Sequence, residues 1–82
     1  MDPTEAFNAM MDDFALGMVD DATEHANNLA EWLNKGRFPP VLLISTDGVK
    51  VFTVSDQLAR EVCRAACRLV LDQPKAGCNP QP

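Results

Sequence analysis

The stretch Val41-Leu42-Leu43-Ile44-Ser45-Thr46-Asp47-Gly48-Val49-Lys50-Val51-Phe52-Thr53-Val54 decides the fold. Its two runs rich in β-branched and aromatic residues, Val41–Ser45 and Val49–Val54, flank a turn signal, and the pattern predicts a two-stranded antiparallel hairpin. Asp47-Gly48 suits the central pair of a type I′ turn, which needs positive φ at both positions. With that pair in the turn, Ser45 faces Lys50, Ile44 faces Val51 and Leu43 faces Phe52. Leu42, Ile44, Val49 and Val51 then share one face, and Val41, Leu43, Phe52 and Val54 share the other. A ribbon wetted on one side alternates apolar with polar residues, and this one hardly does, so both faces need a cover.

Working outward toward the N-terminus, Phe38-Pro39-Pro40 forces an extended connection, and Asn34-Lys35-Gly36 stops a helix before it. The opening Asp2-Pro3-Thr4-Glu5 starts one: Asp2 can cap, Pro3 suits the first helical position, and Glu5 meets the positive end of the dipole. In between, Phe7, Met10, Met11, Phe14, Met18, Ala22, Ala26, Leu29 and Leu33 recur at helical spacing within an arc roughly 160° wide. One uninterrupted helix of about 32 residues would be roughly 48 Å long, whereas a globule of this length has a radius of gyration near 12 Å. A break at Gly17 is therefore the favoured reading, with Asp21 capping the second helix and Glu24 completing a capping box. The single long helix is the alternative.

Toward the C-terminus, Ser55 caps a last helix that runs to about Asp72, before Pro74, with Leu58, Val62, Cys63, Ala66, Leu69 and Val70 as its expected buried stripe. The fold class expected is thus α+β, a small single domain over residues 1–73 followed by a frayed tail over 74–82. Its order is two N-terminal helices, a hairpin and a C-terminal helix.

Charge is distributed unevenly along this plan. Residues 1–34 hold eight carboxylates and no lysine or arginine, while the remainder holds all seven basic residues and four acids, for a net charge of -5. Apolar residues at 46% and charged residues at 23% are ordinary globular usage. The longest uninterrupted apolar run, Val41–Ile44, is far too short to span a bilayer, and no basic segment precedes an apolar run at the amino end. A cytoplasmic protein without membrane association is expected. Three cysteines without paired spacing argue for reduced thiols rather than a disulfide framework.

Several groups are candidates for function. Met10, Met11 and Phe14 form a soft patch of the kind that adaptable binding surfaces use, or else pack as core. Trp32, Arg37 and Phe38 combine residue types that anchor interfaces, and Leu43 and Phe52 represent the second hairpin face. The acidic stripe Asp13, Asp20, Asp21, Glu24 and Glu31 is either the solvated side of amphipathic helices or an imitation of phosphate spacing. Arg60, Arg64 and Arg68, four apart, form a basic ridge expected to pair with the acidic helices, within the chain or across a dimer. A net negative charge makes direct nucleic-acid binding a poor expectation.

Chemistry is less well represented. His25 and Trp32, seven apart, share one flank of the second helix and are expected to pack together at the edge of the core. Cys63 and Cys67 with His25 or Cys78 match no structural zinc spacing. A Cys67–His25 nucleophile would lack an oxyanion site, and no phosphate-binding loop or cofactor motif is present, so neither a catalytic nor a metal site is expected. The functional expectation is a small acidic protein-interaction module acting as a homodimer or on a partner protein. The alternative is an acidic inhibitor, of the type encoded by phages or mobile elements, that occupies the basic groove of a nucleic-acid-binding protein.

Overall fold

A computed structural model describes residues 1–73. The element order is α1 (Pro3–Ala15), α2 (Val19–Asn34), β1 (Leu43–Ile44), β2 (Phe52–Thr53) and α3 (Asp56–Leu71), an α+β domain with one antiparallel hairpin. The tail and its Cys78 lie outside the described residues. No helix among the described residues is long and apolar enough to cross a membrane.

The α1 start follows its sequence signal: the Asp2 carboxylate accepts from the backbone N–H of Thr4 at 2.9 Å and of Glu5 at 3.4 Å, with Pro3 in the first turn. Its end settles the choice between one helix and two. Gly17 has φ +79°, its N–H donates to the Phe14 carbonyl at 3.1 Å, and the Met18 N–H donates to the Asp13 carbonyl at 2.8 Å. This double closure is a Schellman motif, which satisfies terminal carbonyls as the chain turns away. The second helix then resumes at once, at Val19, with Met18 at the cap position and no side-chain cap. The capping box on Asp21 and Glu24 is therefore not formed; Asp20 and Asp21 sit inside the first turn, at the positive end of the dipole. The same closure ends α2, where Gly36 at φ +77° donates to the Leu33 carbonyl and Arg37 to the Trp32 carbonyl.

Helix α2 lies between α1 and α3 and packs on both. Its Ala22, Ala26, Leu29 and Leu33 are buried together with Met10 of α1 and with Cys63, Cys67 and Val70 of α3. The α3 stripe differs from the expected one: Ala59, Cys63, Cys67 and Val70 face inward, while Leu58, Val62 and Leu69 are exposed. Small side chains are buried on both helices, Ala22 and Ala26 of α2 and Ala59, Cys63 and Cys67 of α3, and small side chains suit close backbone approach. Met11 and Met18 of the expected N-terminal arc are also exposed.

The connection before the hairpin is seated by buried Pro39 and Pro40 and by the Val41 N–H, which donates to the Thr4 hydroxyl at 2.9 Å. The strands are shorter than expected and their register differs by one residue. Leu43 faces Thr53 and Ile44 faces Phe52, and the Val54 N–H continues the ladder to the Leu42 carbonyl at 2.9 Å. No type I′ turn forms, because only Gly48 of the pair has positive φ. Instead the Asp47 carboxylate accepts from the Val49 and Lys50 N–H groups at 2.9 and 3.1 Å, and the Ser45 hydroxyl accepts from the Gly48 N–H at 2.9 Å. These bonds favour a wider loop, and the slip re-sorts the faces. Leu42, Ile44, Phe52 and Val54 now share one side; Val41, Leu43, Val51 and Thr53 share the other.

The hairpin packs extensively on no helix. The radius of gyration is 13.7 Å, above the value of about 12 Å for a compact chain of this length.

Candidate protein-interaction surface

The hairpin displays apolar side chains on both faces. Val54 is buried and Leu42 half-buried at its base, but exposure rises from 43% at Ile44 through 56% at Phe52 and 63% at Leu43 to 86% at Val49. The Lys50 ammonium sits 5.8 Å from the Phe52 ring centroid, within cation–π reach. Acceptance of two backbone N–H bonds holds the Asp47 carboxyl below its ordinary value. Two edges with unpaired backbone groups and two apolar faces make this ribbon a template for another polypeptide.

A second constellation forms where α2 ends. The Trp32 indole N–H donates to the Phe38 carbonyl at 2.7 Å, its ring meets the Phe38 ring edge-on at 5.4 Å, and the Arg37 guanidinium carbon stands 4.9 Å from the Trp32 ring centroid. The Gly36 closure causes this: reversing the chain after α2 lays residues 37 and 38 back over the last turn. Arg60 of α3 fixes the corner from below, donating to the Leu33 carbonyl at 3.3 Å and the Arg37 carbonyl at 2.8 Å. Phe38 and Arg37 remain exposed, so the structure brings Trp32, Arg37 and Phe38 together as one surface group.

The other sequence candidates are placed differently. Met10 is fully buried and belongs to the core, which removes it from any contact surface; Phe14 is half-buried and Met11 exposed. In the acidic stripe, Asp20, Asp21, Glu24 and Glu31 are exposed, whereas Asp13 is half-buried with its carboxylate 3.4 Å from His25 Nε2. His25 thus faces α1, and the ring partners of Trp32 are Phe38 and Arg37 in its place. Within the chain the basic ridge does not pair with the acidic helices: among the described residues no arginine lies within ion-pair distance of a carboxylate. Arg60 is drawn instead to the Leu33 carbonyl in the last turn of α2, at the negative end of the dipole, and to the Arg37 carbonyl just beyond it. Arg64 and Arg68 line an open cleft of about 270 Å³ with Ala30, Asn34, Cys67 and Leu71.

Cys67 is buried, and it lies beside Cys63 one turn away. A hydrogen bond from Cys63 favours the Cys67 thiolate, while the same bond and burial push the Cys63 thiol up. Among the described residues no three His, Cys, Asp or Glu side chains gather as a metal site. Compared with known proteins, the chain matches no family model, no curated protein and no solved structure.

Reading the sequence missed the exposed stripe of α3 formed by Leu58, Val62 and Leu69. The signal was present as two interleaved apolar series on one helix, 58-62-65-69 and 59-63-66-70, only one of which can face α2.

Proposed function

We propose that this chain is a protein-interaction module that works by association, with the apolar hairpin as its principal contact surface and the Trp32–Arg37–Phe38 corner as a second anchor. The observation carrying this reading is a ribbon with Leu43, Ile44, Val49, Val51 and Phe52 all exposed beside a core that is already closed without them. Burying such side chains stabilises by about 1.5–3 kcal/mol each when complete, a gain that folding of the lone chain leaves largely unused. A second copy or a different protein would realise it.

The test is site-specific photo-crosslinking in cells, with the reactive residue at Leu43 in one variant and at Asn27, on the polar face of α2, in another. The expected result is a discrete adduct from position 43 and none from position 27, its mass separating a second copy from a different protein. No adduct at 43, or equal labelling from both positions, removes the reading.

One observation supports the inhibitor as a second reading: Asp20, Asp21, Glu24 and Glu31 are exposed and not engaged by the arginines of the same chain. Binding through them weakens steeply as salt rises, whereas hairpin docking hardly changes. Salt dependence of the partner complex therefore separates the two.

A further inference from the structure

Helix α3 carries its own unpartnered apolar stripe, and we propose that this stripe is the seam of a two-fold dimer in which α3 pairs antiparallel with α3 of a second copy. The proposal shares with the reading above the premise of association, but it uses another face of the molecule, so either can fail alone.

Leu58, Val62, Ala65 and Leu69 follow one another at intervals of four, three and four residues. On a helix they fall within about 60° of each other, centred about 120° away from the inward-facing Ala59, Cys63, Cys67 and Val70. They are open to solvent: Leu58 is 50%, Val62 36% and Leu69 55% exposed, and Ala65 is exposed as well. Alternating steps of four and three are the repeat by which two helices keep a common seam in contact. Helix α3 has 16 residues, a length of about 24 Å over which such a seam can run.

The sequence of the stripe selects its occupant. In a parallel pair each residue meets its own copy, so Ala65 faces Ala65 across a gap and Glu61 and Arg68 find no opposite charge. In the antiparallel pair Leu58 meets Leu69 of the second copy and Val62 meets Ala65, large against large at the ends and medium against small in the middle. Glu61 and Arg68 are both exposed and flank the stripe along one edge, Arg68 also lining the cleft beside Ala30 and Asn34 of α2. In that same register Glu61 lies opposite Arg68 of the second copy, and two-fold symmetry repeats the pair. Within the chain neither has an ion-pair partner among the described residues, and Arg68 does not reach Asp72 one turn further on. The stripe and its flanking charges are thus complementary to themselves in one orientation.

Sedimentation equilibrium on the full chain at micromolar concentration tests this. A molar mass near twice 9.0 kDa is expected. Glu61→Arg and Arg68→Glu, each turning two attractions into two repulsions, are expected to weaken the dimer roughly tenfold or more, and the double swap to restore it. Leu69→Glu is expected to give a monomer with unchanged helix content. Mixing Leu58→Cys with Leu69→Cys is expected to give a rapid mixed disulfide, with Leu58→Cys alone giving little. A monomer throughout, a dimer indifferent to the single charge reversals, or ready disulfide formation by Leu58→Cys alone overturns the proposal. A dimer lost with Leu43→Lys and Phe52→Lys but kept with Leu69→Glu also overturns it, and leaves the hairpin reading standing.

Discussion

Arg60 holds three segments together: it belongs to α3, and its guanidinium bonds the Leu33 and Arg37 carbonyls at and just beyond the end of α2. Hydrogen bonds from a charged donor are the stronger class. Replacing Arg60 with Ala is expected to cost about 1–2 kcal/mol in urea denaturation, and Arg60→Lys to recover only part, since an ammonium lacks the fork that spans two acceptors. Asp47 acts on a smaller segment. Its carboxyl is held below the ordinary value by the Val49 and Lys50 N–H groups, so its ordering of the loop is present above about pH 4 and is lost as pH falls through the lowered folded-state value. Amide chemical shifts of Gly48, Val49 and Lys50 should report this as a titration below pH 4, absent in Asp47→Ala; shifts unchanged by that substitution would remove the loop account. These roles were only partly legible. The turn chemistry of Asp47 was readable as a preference for Asp-Gly, but whether its side chain or its backbone makes the turn is a competition between close alternatives. Arg60 was read as part of a basic ridge because spacing reveals neighbours on one helix and not the carbonyls of another.

Among the elements, α2 carries the core, and its expected sensitivity is correspondingly high. Leu29→Ala, at a fully buried position between α1 and α3, is expected to destabilise by about 3 kcal/mol, whereas Leu43→Ser on the hairpin should cost about 0.5 kcal/mol or less in the monomer. Equal losses in urea denaturation would mean that the hairpin is part of the core. The break before α2 rests on backbone conformation: Gly17 has φ +79° with open space around the position of a Cβ, so Gly17→Ala is expected to cost about 1 kcal/mol from strain alone. The Asp2 and Ser55 caps, the glycine stops and periodicity made the three helices readable, because each acts within a few residues, although the cap read for α2 does not form. The hairpin register and the inward face of α3 were not readable in the same way. A ribbon apolar on both faces gives no pattern that penalises a one-residue slip, and a helix with two apolar series needs its neighbour to choose between them.

At the scale of the whole molecule the chain divides its duties. One closed core runs through α1, α2 and α3, and much apolar surface lies outside it, chiefly on the hairpin and along the far flank of α3, with Met11, Leu16, Met18 and Phe38 exposed elsewhere. Charge is divided as well, acids on α1 and α2 and arginines on α3, without ion pairs between them among the described residues. The charge asymmetry was visible in the sequence, but of the pairing expected within the chain or across a dimer the first does not form, since side-chain pairing depends on how the helices are set against one another. The surplus apolar surface is the property on which the functional account depends. Its most direct test is the relaxation of methyl signals by a soluble paramagnetic probe, in protein dilute enough to scatter light as a 9.0 kDa monomer. The account predicts that the methyls of Leu43, Ile44, Val49 and Val51 relax strongly while those of Leu29, Leu33 and Val70 are spared; hairpin methyls as protected as the core set would contradict it.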